Sequence, residues 1–167
     1  HAPPVAGGGD YAPWRILGLF NRVGTGDMLS VEIDGAPTRD LAAFRRRRAV
    51  DAAPQIAAYA TRDGDRLTVV VLSRRLPNYP DPADDGFTPA TLSLPIVGAQ
   101  RLTLHRMAGP HDAHDVDDQQ VLIETIALDP PPLDRPVPID AALGADPRGL
   151  PPASAFLYVF EGVDEVR

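Results

Sequence analysis

The densest collection of groups able to bind a metal in this chain is His111, Asp112, His114, Asp115, Asp117 and Asp118. Neutral imidazoles and carboxylates together suit a borderline divalent ion, and the oxygens alone suit calcium. The spacing fits no established pattern. There is no HExxH helix, and the glycine and terminal glutamate of a calcium loop are missing. A solvated polar loop is the plainer reading, so no metal ligand is assigned. His1 raises copper chemistry, since an N-terminal histidine can chelate through both amine and imidazole, with His105, His111 or His114 as formal partners. The Ala-Pro-Pro and triglycine residues that follow give it no rigid support, which a copper clamp requires. A tag or processing remnant is the simpler account of His1.

Carboxylate chemistry has few candidates. Glu32, Glu124, Glu161 and Glu165 are the only glutamates. Glu32 and Glu124 alternate with apolar neighbours, which places them on the solvent side of strands. No catalytic, cofactor-binding or metal residue is therefore assigned, and no cofactor is expected. The run Arg45-Arg46-Arg47-Arg48 could attract phosphate, but it lacks interleaved aromatics and sits in an acidic chain. Sugar stacking needs exposed rings. Trp14 falls on a helical apolar stripe, which leaves Tyr79 as a lone candidate.

Composition bounds the rest. With 167 residues, a net charge of −7 and no cysteine, the chain suits one domain held by packing and hydrogen bonds alone. Folding at this size buries about 70% of the unfolded surface. Its charge disfavours nucleic acid and anionic membrane as partners, and no apolar run reaches the roughly 18–20 residues of a membrane span.

The elements follow from periodicity and punctuation. Residues 1–10 read as a flexible lead because of their prolines and glycines. Asp10 can cap a helix from Ala12 to Arg22, with Pro13 in its first turn and Trp14, Leu17 and Phe20 on one stripe. That stripe demands a partner: an upstream chain, a second copy, or the protein's own sandwich. Met28 to Ile33 alternates as a half-buried strand, with Leu29, Val31 and Ile33 on one side. Ala36 to Pro54 reads as a loop with one helical turn. Gln55 to Ser73 is a hairpin about Asp63-Gly64, the strongest signal in the chain, and its second strand is apolar enough to be central. Leu76 to Pro89, rich in proline and aspartate, reads as a long loop. Further strands are expected at Ala90–Leu94, Arg101–Met107, Val121–Leu128 and Ala153–Glu161, the last covered on both faces. Short strands with no helices between them predict an all-β, antiparallel β-sandwich with a short N-terminal helix.

Several of these segments carry a family likeness. GDYAPWRILGLFNRVGTGDML, IAAYATRDGDRLTVVVLSR, TPATLSLP, LTLHRMAGP and LPPASAFLYVFEG resemble the C-terminal region of clan-A-type glycoside hydrolases, particularly arabinofuranosidases and β-xylosidases. Tyr59 with Asp63-Gly64-Asp65, the Ser73-Arg74 pair, and Pro151-Pro152-Ala153-Ser154 before the last strand match that pattern. The loop Pro110 to Asp118 departs from it. The resemblance implies a division into a lead (1–10), a barrel-type helix and crossover (11–27) and a β-sandwich accessory domain (28–167). It also implies that the two carboxylates of retaining hydrolysis, about 5 Å apart at barrel strand ends, lie outside this chain. The expected role is non-catalytic: stabilising a (β/α)8 barrel of the same or an associated chain and shaping its active-site rim. Carbohydrate and a second copy are the other partners considered. An independent carbohydrate-binding module and a copper enzyme built on His1 are the alternative functions.

Overall fold

A computed structural model describes residues 12–43, 46, 48–75, 83–108 and 122–165, and the side chains of all of these except 12–17, 108, 122 and 165. The expected hairpin is present as β4 (Ile56–Asp63) and β5 (Arg66–Ser73), closed by Asp63 opposite Arg66. Gly64 has φ +60° and Asp65 does not share the positive sign. Glycine at the first central position of a two-residue loop matches the right-handed twist of its strands.

This hairpin seeds a six-stranded antiparallel sheet in the order β1 (Asp27–Leu29), β4, β5, β11 (Ser154–Glu161), β8 (Arg101–Ala108) and β9 (Leu122–Leu128). The last long strand in sequence, β11, sits inside, paired along its whole length with β5 and β8. Ser154 to Phe160 are all buried, so the expected covering of both faces is found. Alternation places Phe156, Tyr158 and Phe160 on one face with Leu67, Val69, Val71, Leu102 and Leu104.

Two short ribbons and their connections form the second layer over that face. Residues Thr91–Leu92 (β6) pair with Val137–Pro138 (β10), and Ile96–Gly98 (β7) pairs with Asp164–Glu165 (β12). Their Leu92, Ile96 and Val137 join Leu133, Ile139, Leu143, Leu150 and Val163 in the main core. The result is an antiparallel β-sandwich whose second layer is largely loop.

The opposite face is where the helix docks. In α1 (Ala12–Val23), Leu19 is buried against Val70 and Leu157, and Phe20 and Val23 pack around the same cluster with Leu72 and Ile123. The Thr68 hydroxyl donates to the Val23 carbonyl at 2.9 Å, holding the helix end to β5. Of the stripe, Phe20 packs against the protein's own sheet. The side chains of Trp14 and Leu17 lie outside the described residues.

Three local expectations are corrected. The strand expected from Met28 to Ile33 stops at Leu29, and Val31 and Ile33 are exposed. Ala36 to Pro54, expected as a loop with one helical turn, holds the antiparallel pair β2 (Thr38–Leu41) and β3 (Val50–Pro54), and no helix is found among its described residues. Its periodicity was hidden because both strands are mostly solvent-exposed, so no apolar face is selected. The strand expected at Ala90–Leu94 is the two-residue β6, followed after Pro95 by β7. Among the described residues no helix is long and apolar enough to cross a membrane.

Candidate functional site

Over β4 and β5 the second layer leaves a groove of about 1320 Å³. Ile56, Ala58, Ala60, Val69 and Val71 line its base, residues 29–37 form one wall, and residues 88–95 the other. Pro138 to Asp140 and Pro147 to Gly149 close an end. The lining contains no aromatic ring, so it offers no flat platform for a sugar. Its chemistry is that of an aliphatic slot with a few polar groups on the rim.

That end is clasped by Arg148. Its Nε and Nη2 donate to the two carboxylate oxygens of Asp146 at 2.9 and 3.1 Å, and Nη1 donates to Asp85 at 3.2 Å. The guanidinium also lies 3.6 Å from the centre of the Phe87 ring. Gly149 has φ +108°, and a Cβ there would lie 2.3 Å from the Thr88 carbonyl oxygen. Only glycine lets these two backbones pair as they do at Thr88 and Leu150. Beside the clasp, Arg75 pairs with Asp84 and donates to the Phe87 carbonyl at 2.9 Å. The Asp84 carboxyl is held below its usual value, first by the Gly86 N–H and then by Arg75. The Asp-Pro-Arg-Gly turn at 146–149 is not among the segments expected from the sequence, although its turn residues could have marked one half of this clasp. Its partner, Asp85, is 63 residues away, and no local pattern joins them.

The carboxylates considered for catalysis are dispersed. Glu124 on β9 pairs with Arg106, and Glu161 at the end of β11 pairs with Arg66 and Arg101. Glu32 lies exposed in the groove wall, and the side chain of Glu165 is outside the described residues. Asp140, also on the rim, caps the 3-10 helix Ala141–Leu143 by accepting from the Ala142 N–H at 2.9 Å. Among the described residues no group of three or more histidines and acids could hold a metal. The His111 to Asp118 loop, His1 and Tyr79 lie outside those residues, as do Arg45 and Arg47. Arg46 and Arg48 are exposed.

The described histidine, His105, is on the helix-covered face, with Nδ1 2.9 Å from the Thr125 hydroxyl. Burial, and then the charge of Arg22, push its pKa below 6.5. The unfolded chain therefore binds more protons than the folded one just below pH 6.5, and stability falls as pH drops through that value towards the lower folded pKa. His105→Gln is expected to flatten that part of the stability-against-pH curve. Denaturation midpoints of both proteins between neutral and mildly acidic pH check it, and an unchanged slope in the variant refutes it.

Fold and groove together define an antiparallel β-sandwich with an aliphatic slot. Among solved structures, an arabinofuranosidase shares this fold with a TM-score of 0.51 and 16% identity, over 75% of this chain and 24% of that one. An α-L-arabinofuranosidase from Thermotoga maritima and a thermostable GH51 α-L-arabinofuranosidase from Thermotoga petrophila give TM-scores of 0.48 and 0.47. Their identities are 19% and 20%, with the same 75% and 24% coverage. The chain thus spans about a quarter of the length of the enzymes it resembles, and the fold comparison rests on the first. No protein-family model and no curated protein matches the sequence.

Proposed function

We propose that this chain is a non-catalytic accessory β-sandwich of a glycoside hydrolase, packed against a (β/α)8 barrel in the same or an associated chain. The observation that carries the reading is the coverage: most of this sandwich corresponds to a minor portion of an arabinofuranosidase. The described glutamates agree with it, Glu124 and Glu161 each paired with arginine and Glu32 exposed apart from them, because hydrolysis with retention needs two facing carboxylates about 5 Å apart. In this reading residues 11–27 are the last barrel helix and crossover, 28–167 are the accessory domain, and 1–10 are a lead. The docking of α1 on the sheet then makes that helix the joint between the two bodies.

The test uses the purified chain. With an aryl α-L-arabinofuranoside and an aryl β-xyloside the expected result is no release above buffer. Calorimetric titration with arabinan and xylan oligosaccharides is expected to show no binding at millimolar concentration. Measurable turnover by the chain alone overturns the proposal, and millimolar or tighter binding replaces it with a carbohydrate-binding module.

A further inference from the structure

The outer edge of β4 is only half used. It pairs with β1 through Asp27 opposite Arg62, Met28 opposite Thr61 and Leu29 opposite Ala60. Among the described residues no strand continues along Ile56 to Tyr59 on that side. The chain departs at Ser30 and returns where the Gln55 N–H donates to the Pro37 carbonyl at 2.8 Å. Residues 30–36 are thus a strap pinned at both ends, standing along the groove as one of its walls.

The sequence of the strap suits the edge it leaves. Continuing the β1–β4 register by two and four residues sets Val31 opposite Ala58 and Ile33 opposite Ile56. Both then point to the same face as Leu29, over the aliphatic floor. In the arched form these two side chains are 37% and 43% exposed. Ser30 and Glu32 turn the other way, opposite Tyr59 and Ala57. Gly35, at φ +62° with nothing within 4 Å of a built Cβ, supplies a turn able to loop out the residues left over.

We infer that Ser30 to Ile33 zip onto the free edge of β4, so that the arched strap is the open form of a two-state element that shuts the groove. Closure gives the outer edge of β4 a partner strand and buries the exposed Val31 and Ile33. It is opposed by the ordering of a short segment whose ends are already fixed, a small loop-closure cost. The closed strap also removes an edge on which a foreign strand could add. This inference stands independently of the accessory-domain proposal.

The chain has no cysteine, which allows a direct trap. Val31→Cys with Ala58→Cys tests the closed register, and Leu29→Cys with Ala60→Cys is the reference pair already opposed. The two pairs are two residues apart in one ladder, so their geometry in the closed form is equivalent. Under mild oxidation of the whole chain, both are expected to form intramolecular disulfides at rates within about tenfold of each other. A test pair slower by more than tenfold overturns the inference. Should the double variant fail to fold by circular dichroism, hydrogen exchange of the unaltered protein decides. Protection of the edge-facing amides of Ile56 to Tyr59 by roughly tenfold or more supports closure, and exchange at the unprotected rate sinks it.

Discussion

Tyr158→Ala is expected to lower unfolding free energy by about 3–5 kcal/mol, the cost of emptying a buried aromatic site. Tyr158 is fully buried at the middle of β11. It sits opposite Val69 on one side and Leu104 on the other. Its ring lies between Phe156 and Phe160, with centroids 6.2 and 6.4 Å away. Its hydroxyl donates to the Leu143 carbonyl at 3.1 Å and so ties the sheet to the 3-10 helix of the second layer. Burial pushes the phenol well above its usual pKa, which keeps that donor protonated. Tyr158→Phe keeps the ring and removes the donor, so its expected cost is the smaller penalty for an abandoned buried acceptor, about 1–3 kcal/mol. Urea denaturation of the three proteins, with the midpoint falling and the slope unchanged, measures both. An alanine variant within about 1 kcal/mol of the parent would show that the aromatic row does not anchor the sandwich.

Gly26→Ala is expected to cost about 3 kcal/mol, while Gly64→Ala, in the same sheet, is expected to cost about 1 kcal/mol. Both glycines have positive φ, +88° and +60°, so each alanine carries left-handed strain. The surroundings make the difference. At Gly26 a Cβ would lie 1.9 Å from the Arg62 carbonyl oxygen, a backbone atom of β4 that cannot move without breaking its ladder, whereas at Gly64 there is nothing within 4 Å. The Gly26 variant also strikes the start of β1, where Asp27 opposes Arg62 and the Thr25 hydroxyl donates to Asp63 at 2.8 Å. Equal denaturation midpoints for the two variants would refute the close approach of β1 to β4.

The comparison of these two glycines shows where local reading stops. Gly64 announced itself, because Asp-Gly between alternating runs describes a turn without reference to the rest of the molecule. Gly26 stands in no such pattern, and only the backbone packed against it makes it irreplaceable. The carboxylates follow the same division. Glu124 alternates with apolar neighbours and is exposed as expected, but its pairing with Arg106 depends on which strand lies beside β9.

Sequence alone determined the hairpin, the central position of β5, the doubly covered last strand and the antiparallel class. Each depends on contacts within a strand or turn, and periodicity records those contacts directly. The tertiary structure decided that β11 inserts between β5 and β8, that α1 docks on the sheet it precedes, and that β2 and β3 form an exposed ribbon. It also decided that β1 stops at Leu29 and that Val31 and Ile33 stand exposed beside the groove. Such choices depend on surfaces brought together from distant parts of the chain, and the alternation of polar and apolar residues fixes which face is buried without saying what buries it.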